Sequence, residues 1–237
     1  LFIENGADVH SKSTGGYTAL MWAVRNGNKE RVALLIENGA DVNSKTTAGY
    51  TALMWAALNG SGEIASLLIE NGADVNSKAT TGGYTALMWA TQNGKRDIVS
   101  ILIVNEADVN LRANDGNTAL ILAASYGHVE VLLQLIETKA DVNSKTTGGH
   151  TALIEAAKNG NKEIASLLIE NEADVNSKTT GRYTALMWAA RNGNEEIASL
   201  LIENGADVNS KTNGGNTALI EAAKSGNEEI VSLLIEN

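Results

Sequence analysis

The sequence predicts an all-α fold in which short helix pairs repeat and stack along the chain. The first observation is a fixed period: the tripeptide Thr-Ala-Leu recurs every 33 residues, with one spacing of 34. A second landmark, Ala-Asp-Val, keeps constant phase with it through the 237 residues. The third observation is that each period holds two apolar runs, both too short to be stable alone. The seven copies of Thr-Ala-Leu begin at Thr18, Thr51, Thr85, Thr118, Thr151, Thr184 and Thr217.

One period, residues 44–76, shows how each element is predicted. Thr51 stands where a helix N-cap is expected, the Ala- and Leu-rich run 52–59 follows it, and Gly60 supplies a left-handed stop. A second apolar run, 64–69, ends at an Asn-Gly pair. The polar, Gly-rich stretch after it is too short for a helix, so we expect an extended or hairpin connection. Because helices of about ten residues are marginal in water, the pairs must stack on one another.

These motifs resemble a known family. The period of 33, the Thr-x-Leu-x-x-Ala helix start and the Gly-Ala-Asp-Val-Asn connector are similar to the ankyrin repeat, whose signature is T-P-L-H-x-A on a turn-helix-helix unit. The resemblance implies an all-α repeat solenoid: an array of stacked helix-turn-helix units, with β-hairpin fingers at right angles to the helices and a concave surface formed by fingers and first helices. It implies one domain over residues 1–237, with truncated repeats at 1–10 and 210–237 and full repeats at 11–43, 44–76, 77–110, 111–143, 144–176 and 177–209.

The sequence departs from the family pattern at identifiable positions. Ala replaces the family's Pro at the first helical position of all seven units. Three connectors carry Glu106, Lys139 and Glu172 where the others carry Gly, and Arg182 replaces a finger Gly. If these four positions keep the left-handed conformation, each costs about 1 kcal/mol relative to Gly.

The two ends of the sequence fall in the same phase of the repeat. Neither replaces apolar outer positions by the polar ones of a capping repeat. We therefore expect an excerpt of a longer array, or a chain cut for other reasons. Phe2, Ile3, Leu234 and Ile235 are predicted to form uncapped apolar faces that support end-to-end self-association.

Composition excludes several kinds of function. A net charge of −10 argues against nucleic acid as a partner. The absence of Cys removes disulfides, thiolate metal sites and Cys nucleophiles, and fits the reducing cytoplasm. No apolar run approaches the roughly 20 residues that span a bilayer, so no membrane partner is expected. The three histidines lie in three repeats and three phases, so we expect no catalytic residue, metal site or cofactor.

The residues that vary between repeats indicate a binding surface. Four repeats carry Tyr before the Thr and Trp five residues later, which the resemblance places on the concave face with neighbouring cations. We predict that a protein or peptide partner, apolar with some negative charge, contacts these aromatic and basic side chains. The predicted binding residues are Tyr17, Trp22, Arg25, Lys45, Tyr50, Trp55, Lys78, Tyr84, Trp89, Arg112, Tyr183, Trp188 and Arg191.

Other interpretations stay open at this point. The Tyr and Trp side chains could stack only on neighbouring repeats as an internal ladder, and the finger Lys residues could simply keep finger edges from pairing with other chains. The chain could be a structural spacer or scaffold segment of a longer ankyrin array without a ligand at these repeats. It could also be an engineered ankyrin scaffold.

Overall fold

The computed structural model describes residues 6–237, which contain fourteen α-helices and no β-strand. The chain is organised as two compact units, Leu1–Asn114 and Asp115–Asn237. The prediction of a single domain stays a prediction. The first unit holds α1 (Ala19–Arg25), α2 (Lys29–Glu37), α3 (Ala52–Asn59), α4 (Gly62–Glu70), α5 (Ala86–Gln92) and α6 (Arg96–Val104). The second holds α7 (Ala119–Tyr126), α8 (Val129–Glu137), α9 (Ala152–Asn159), α10 (Lys162–Glu170), α11 (Ala185–Asn192), α12 (Glu195–Glu203), α13 (Ala218–Ser225) and α14 (Glu228–Glu236).

Each repeat contributes an inner helix, odd-numbered, and an outer helix, even-numbered. Every inner helix begins at the predicted Thr N-cap, whose hydroxyl accepts a hydrogen bond from the N–H three residues later, as from Met54 to Thr51 at 3.3 Å. The predicted run 52–59 coincides with α3, and Gly60 ends it at φ 79°. The stacked helix-turn-helix architecture is thereby confirmed.

The core of each unit lies between the two helix layers. In α3 the residues Leu53, Met54, Ala56 and Ala57 are at most 1% exposed, and in α4 Leu68 is fully buried. Within each unit, inner helices pack on inner helices of the neighbouring repeats and outer helices on outer ones, as α3 does on α1 and α5, and α11 on α9 and α13. Small Ala side chains on the inner helices let the backbones approach closely, and the Leu and Ile residues of the outer helices fill the remaining space.

The fingers are tight turns that lack strand pairing. In the finger of residues 44–50 the Thr46 N–H donates to the Tyr50 carbonyl at 3.0 Å, and the Thr46 hydroxyl accepts from the Tyr50 N–H at 3.0 Å. Neighbouring fingers share backbone hydrogen bonds such as that from the Thr47 N–H to the Gly15 carbonyl at 3.0 Å. These links are too few to form a β-ladder, so within residues 6–237 the expected hairpins are present as turns only.

The single 34-residue spacing is absorbed inside one finger. There the closing hydrogen bond runs from the Ala79 N–H to the Tyr84 carbonyl at 2.9 Å, one residue longer than in the other fingers. Gly82 and Gly83 both have positive φ, 82° and 72°, and accommodate the extra residue. The Thr81 N–H still donates to the Ala48 carbonyl at 3.1 Å, so the link to the preceding finger is kept.

An Asp in each connector braces the turn that leads into the finger. Asp41 accepts hydrogen bonds from the Asn43 N–H and the Ser44 hydroxyl, both at 2.9 Å. The Asn43 amide in turn reaches the next repeat, where it donates to the Gly72 carbonyl at 2.8 Å and accepts from the Asp74 N–H at 2.7 Å. We call such a doubly bonded amide an Asn staple. The same staple recurs at Asn76, Asn143 and Asn176.

Four residues that replace Gly do adopt the left-handed conformation. Glu106, Lys139 and Glu172 each have φ 65°, and Arg182 has φ 62°. The backbone of the connectors is therefore the same whether or not Gly is present. The carbonyls of Glu106 and Glu172 accept the staple hydrogen bonds of the preceding Asn, both at 3.1 Å, which helps to hold this backbone in place.

The predicted apolar ends are only partly visible. Phe2 and Ile3 lie outside the described residues. At the other end Leu234 is buried, whereas Ile235 is 69% exposed and Ile220 of the last inner helix is 40% exposed. End-to-end self-association stays a prediction.

Candidate functional site

The Tyr and Trp residues of the first unit form one continuous row, which we call the ladder. Tyr17 contacts both Trp22 of its own repeat and Trp55 of the next, with ring centroids 5.2 and 6.1 Å apart. Tyr50 likewise bridges Trp55 and Trp89, at 5.4 and 5.8 Å. Tyr84 adds the last ring, 5.0 Å from Trp89. The ladder therefore consists of Tyr17, Trp22, Tyr50, Trp55, Tyr84 and Trp89.

Finger and helix geometry together produce this order. Each Tyr is the last residue of its finger, immediately before the Thr N-cap, and each Trp is the fourth residue of an inner helix. The helix carries Leu53, Ala56 and Ala57 into the core, so Trp55 lies beside the finger. Ring separations of 5 to 6 Å with tilted planes suit favourable aromatic pairs, worth about 0.5–1.5 kcal/mol each.

Arg25 lies across the beginning of the ladder. Its guanidinium carbon is 5.1 Å from the Trp22 ring centroid and 5.3 Å from that of Trp55. The sequence predicted the contact with Trp22 from the spacing of three on one helix. The second contact joins two repeats, and it fixes a cation over the ladder at low cost in side-chain entropy.

Exposure along the ladder is uneven. Trp22 is 45% exposed, whereas Trp55 and Trp89 are half-buried. The indole N–H groups of Trp55 and Trp89 are covered and have no hydrogen-bond partner among the described residues. Burial raises the pKa of the Tyr50 hydroxyl above its ordinary value of 10.0. The ladder is thus an internal packing feature whose outer edge, above all at Trp22, stays accessible.

The predicted rim cations of the first unit link the fingers. The Lys78 ammonium donates to the carbonyl of Arg112 at 2.8 Å, and the Lys45 ammonium donates to the carbonyl of Lys78 at 3.5 Å. Both Lys residues are nevertheless exposed. They therefore tie one finger to the next while they keep their charge at the surface.

The second unit contains one Tyr–Trp pair, and we call this pair and its charged neighbours the Trp188 cluster. Tyr183 and Trp188 are 5.3 Å apart. Arg191 lies 5.4 Å from the centroid of the Trp188 ring, and Lys158 of the preceding inner helix lies 5.7 Å from it. Lys158 also approaches Glu155 at 3.4 Å. Two cations from neighbouring helices therefore lie beside one indole.

Polar residues occupy the Tyr and Trp positions in the adjoining repeats of this unit. His150 Nδ1 lies 2.6 Å from Glu155, in place of a Tyr–Trp contact. Asn216 donates to Glu221 at 2.7 Å, and Lys224 approaches the same carboxylate at 3.8 Å. Glu221 is only 4% exposed, and these contacts compensate its burial. The ion pairs predicted from the spacing of three are confirmed.

Charge is segregated between the two faces of the described repeats. The outer helices carry fifteen acidic residues against four basic ones. The fingers and inner helices carry twelve basic residues against three acidic ones: Asp115, Glu155 and Glu221. We call this surface of fingers and inner helices the finger face. Its charge is positive, opposite in sign to that of the outer helices.

Several contacts of these sites were not predicted from the sequence. They include the reach of Arg25 to Trp55, the reach of Lys158 to Trp188 and the contact of His150 with Glu155. The first two join different repeats, and the third joins a finger to its helix. The repeat phase could have indicated these contacts, because residues in the same phase of adjacent repeats become neighbours once the repeats stack.

Other kinds of site find no support in the part of the chain that the structure describes. Residues 6–237 contain no group of three or more His, Cys, Asp or Glu residues that could hold a metal ion. Over the same residues, no helix combines the length and the apolar character needed to cross a membrane.

Comparison with known families agrees with this architecture. A family model described as ankyrin repeats (3 copies) matches residues 1–79, 76–146 and 153–237, and a second, ankyrin repeats (many copies), matches residues 127–169. No curated protein matches the chain. Ankyrin repeats are in general protein–protein interaction modules. Since the matches extend over nearly the whole chain and the described helices stack as turn-helix-helix repeats, the chain belongs to the ankyrin repeat family.

Proposed function

We propose that this protein is a non-enzymatic binding module that receives a partner segment on the finger face of its first unit. The observation that carries the proposal is the continuous ladder from Trp22 to Tyr84, with Arg25 fixed across it. Trp, Tyr and Arg are the side chains that most often dominate interface energetics. A pre-ordered row of them loses little entropy on binding.

The partner segment is apolar with some negative charge. Apolar side chains cover the exposed edge of Trp22, and acidic ones meet Arg25 and the finger residues Lys45 and Lys78. Such binding weakens as salt rises, because the rim charges are exposed and screened. Truncation of an aromatic side chain costs more affinity than removal of one rim Lys, which water and salt already compensate.

A second candidate function is a structural spacer. It is favoured by the way the ladder rings pack on one another and by the finger ties of Lys45 and Lys78, since both reinforce the stack without a ligand. In that case the aromatic row serves stability alone.

Selection of peptides against the full chain separates the two candidates. We expect a displayed random peptide library to yield apolar-acidic sequences. The selected peptide should bind Trp22→Ala at least about tenfold more weakly than the parent chain. Glu70→Ala, on an outer helix, is the matched control and should change affinity less than about twofold. Circular dichroism verifies that each variant stays folded.

Two results would contradict the binding proposal. One is the absence of any enriched peptide. The other is a selected peptide whose affinity survives Trp22→Ala and Arg25→Gln but falls with Glu70→Ala. Either outcome would leave the spacer as the better account of the ladder.

A further inference from the structure

Arg191 differs from the equivalent cations of its unit. Lys158, Arg191 and Lys224 occupy the same position on the neighbouring inner helices α9, α11 and α13. Lys158 has Glu155 at 3.4 Å and Lys224 has Glu221 at 3.8 Å. Among residues 6–237 no carboxylate lies within ion-pair distance of Arg191. Its guanidinium lies beside the Trp188 ring, and its side chain is exposed.

The Trp188 ring also has a second cation beside it. Lys158 and Arg191 lie 5.7 and 5.4 Å from the same ring centroid, although they belong to different helices. Both charges add to the positive potential around the indole, and Glu155, which pairs with Lys158, also contacts His150. An incoming anion would therefore meet an unmatched cation already positioned by an indole.

The rest of the finger face in this unit supplies no competing acid. Its three acidic residues are all engaged: Asp115 by Asn117 at 2.8 and 2.9 Å, Glu155 by His150 and Lys158, and Glu221 by Asn216 and Lys224. Seven basic residues share this face, which are Lys145, Lys158, Lys178, Arg182, Arg191, Lys211 and Lys224. The outer helices of the same unit carry ten acidic residues and one basic residue, Lys162.

We infer that the Trp188 cluster is a second docking element, which binds a carboxylate-bearing protein segment through Arg191. The inference rests on the proposed function, because it names the chemistry of an additional contact on the same kind of face. A partner Asp or Glu forms a paired hydrogen bond with the Arg191 guanidinium. Lys158 and Lys224 add long-range attraction, and apolar atoms of the segment rest on the edge of Trp188.

Charge distribution favours an acidic protein segment over a nucleic acid. The chain as a whole has a net charge of −10, and the acidic outer helices repel a long polyanion. A short segment with a few separated carboxylates and apolar side chains between them engages the basic face and avoids that repulsion.

The test measures binding of a fluorescent extended peptide built from Glu, Leu and Ser to the full chain. Its analogue carries Gln for every Glu. We expect Arg191→Gln to weaken binding of the Glu peptide about five- to tenfold, because a pre-positioned charged pair is lost. Lys162→Gln is the matched control, since it removes the same charge from an exposed outer-helix residue; it should change affinity less than about twofold. The Gln analogue should bind at least about tenfold more weakly than the Glu peptide.

Three outcomes would overturn the inference: equal binding of the Gln analogue, equal effects of Arg191→Gln and Lys162→Gln, or full displacement of the Glu peptide by an oligothymidylate. Failure here is distinguishable from failure of the proposed function. If Trp22→Ala abolishes binding of the selected peptide while Arg191→Gln leaves binding of the Glu peptide unchanged, only the second docking element is refuted. If neither variant affects binding of either peptide, both proposals fall.

Discussion

The two units fill the same repeat positions with opposite chemistry. In the first unit, three repeats in succession place Tyr at the finger end and Trp on the inner helix, and the rings touch across repeats. In the second, the same positions hold His150 with Glu155 and Asn216 with Glu221, on either side of one Tyr–Trp pair. The start of each inner helix is unaffected, because the same Thr N-cap with the same hydrogen bond begins it in both units.

The difference shows what the Trp position of the inner helix requires. A large aromatic side chain fits this half-buried position through its contact area, whereas a buried carboxylate there needs polar or charged partners. Glu221 is 4% exposed and receives both an amide hydrogen bond and a cation. The position thus tolerates either solution, and the choice sets whether the finger face is apolar or charged.

Removal of a ladder ring is the largest expected effect. Trp55→Ala should lower the free energy of unfolding by about 2–3 kcal/mol, because Trp55 contacts Tyr17, Tyr50 and Arg25 at once. Trp22→Ala, at an exposed site, should lower it by about 1 kcal/mol. Urea unfolding followed by circular dichroism measures both. Equal losses would contradict the view that cross-repeat ring contacts stabilise the first unit.

The converse experiment introduces a Tyr–Trp pair of the ladder type at polar positions of the second unit. The double change Asn216→Tyr with Glu221→Trp places an aromatic pair beside Tyr183 and Trp188. It should raise the unfolding free energy by about 1 kcal/mol, because Tyr183 gains the cross-repeat contact that Tyr17 has with Trp55. Glu221→Trp alone, which leaves the Asn216 amide without its acceptor, is the control and should gain less.

The connectors should respond alike in both units. Glu106→Gly in the first and Glu172→Gly in the second should each stabilise the chain by about 0.5–1 kcal/mol, since both residues have φ 65°. Arg182→Gly should gain less, because Arg182 also donates to the Lys211 carbonyl at 3.3 Å. The midpoint of urea unfolding, at unchanged m-value, provides the comparison. A loss of stability at both Glu sites would show that the left-handed backbone is not the dominant cost there.

The smallest expected effect is on the pKa values of two turn carboxylates, Asp8 and Asp207, which acid titration measures individually. The Ser210 hydroxyl is the main cause of the lowered pKa of Asp207, whereas the His10 N–H is the main cause for Asp8. Ser210→Ala should therefore bring the pKa of Asp207 back toward 3.8, and Ser11→Ala should move that of Asp8 less. Because both folded-state values lie below the unfolded one, the stabilisation is present above pH 3.8 and is lost as pH falls further.

NMR chemical shifts of the carboxyl carbons, followed from pH 6 to 2, give the pKa values of both residues. Unfolding in acid is the second measurement. A larger shift at Asp8 than at Asp207 would reverse the assignment of the two causes.

Periodicity along one sequence predicted much of what lies within one repeat, although not the contact of His150 with Glu155. The Thr caps, the positive φ of Glu106, Lys139, Glu172 and Arg182, and the pairing of Trp22 with Arg25 all follow from local spacing. Contacts between repeats depend on how far one helix is displaced along the next. The spacing of residues on a single helix does not give this displacement. The Asn43 staple, the bridge from Arg25 to Trp55 and the finger ties of Lys78 were for that reason not predicted. The hairpin fingers were expected by resemblance and are present only as turns.

The finger that absorbs an extra residue has a consequence for how such a chain can diversify. Its base is closed by Ala79 and Tyr84, and its link to the preceding finger is intact, although the tip is one residue longer. The length of this finger is thus independent of the packing of the helices: residues can be added at the tip while the helices keep their register. A short foreign loop inserted at this tip would extend from the finger while the helices stay in place, provided that the Gly82 carbonyl keeps its hydrogen bond from the Asn114 N–H of the next finger, at 2.9 Å. In this finger, sequence diversity can therefore arise by insertion as well as by substitution.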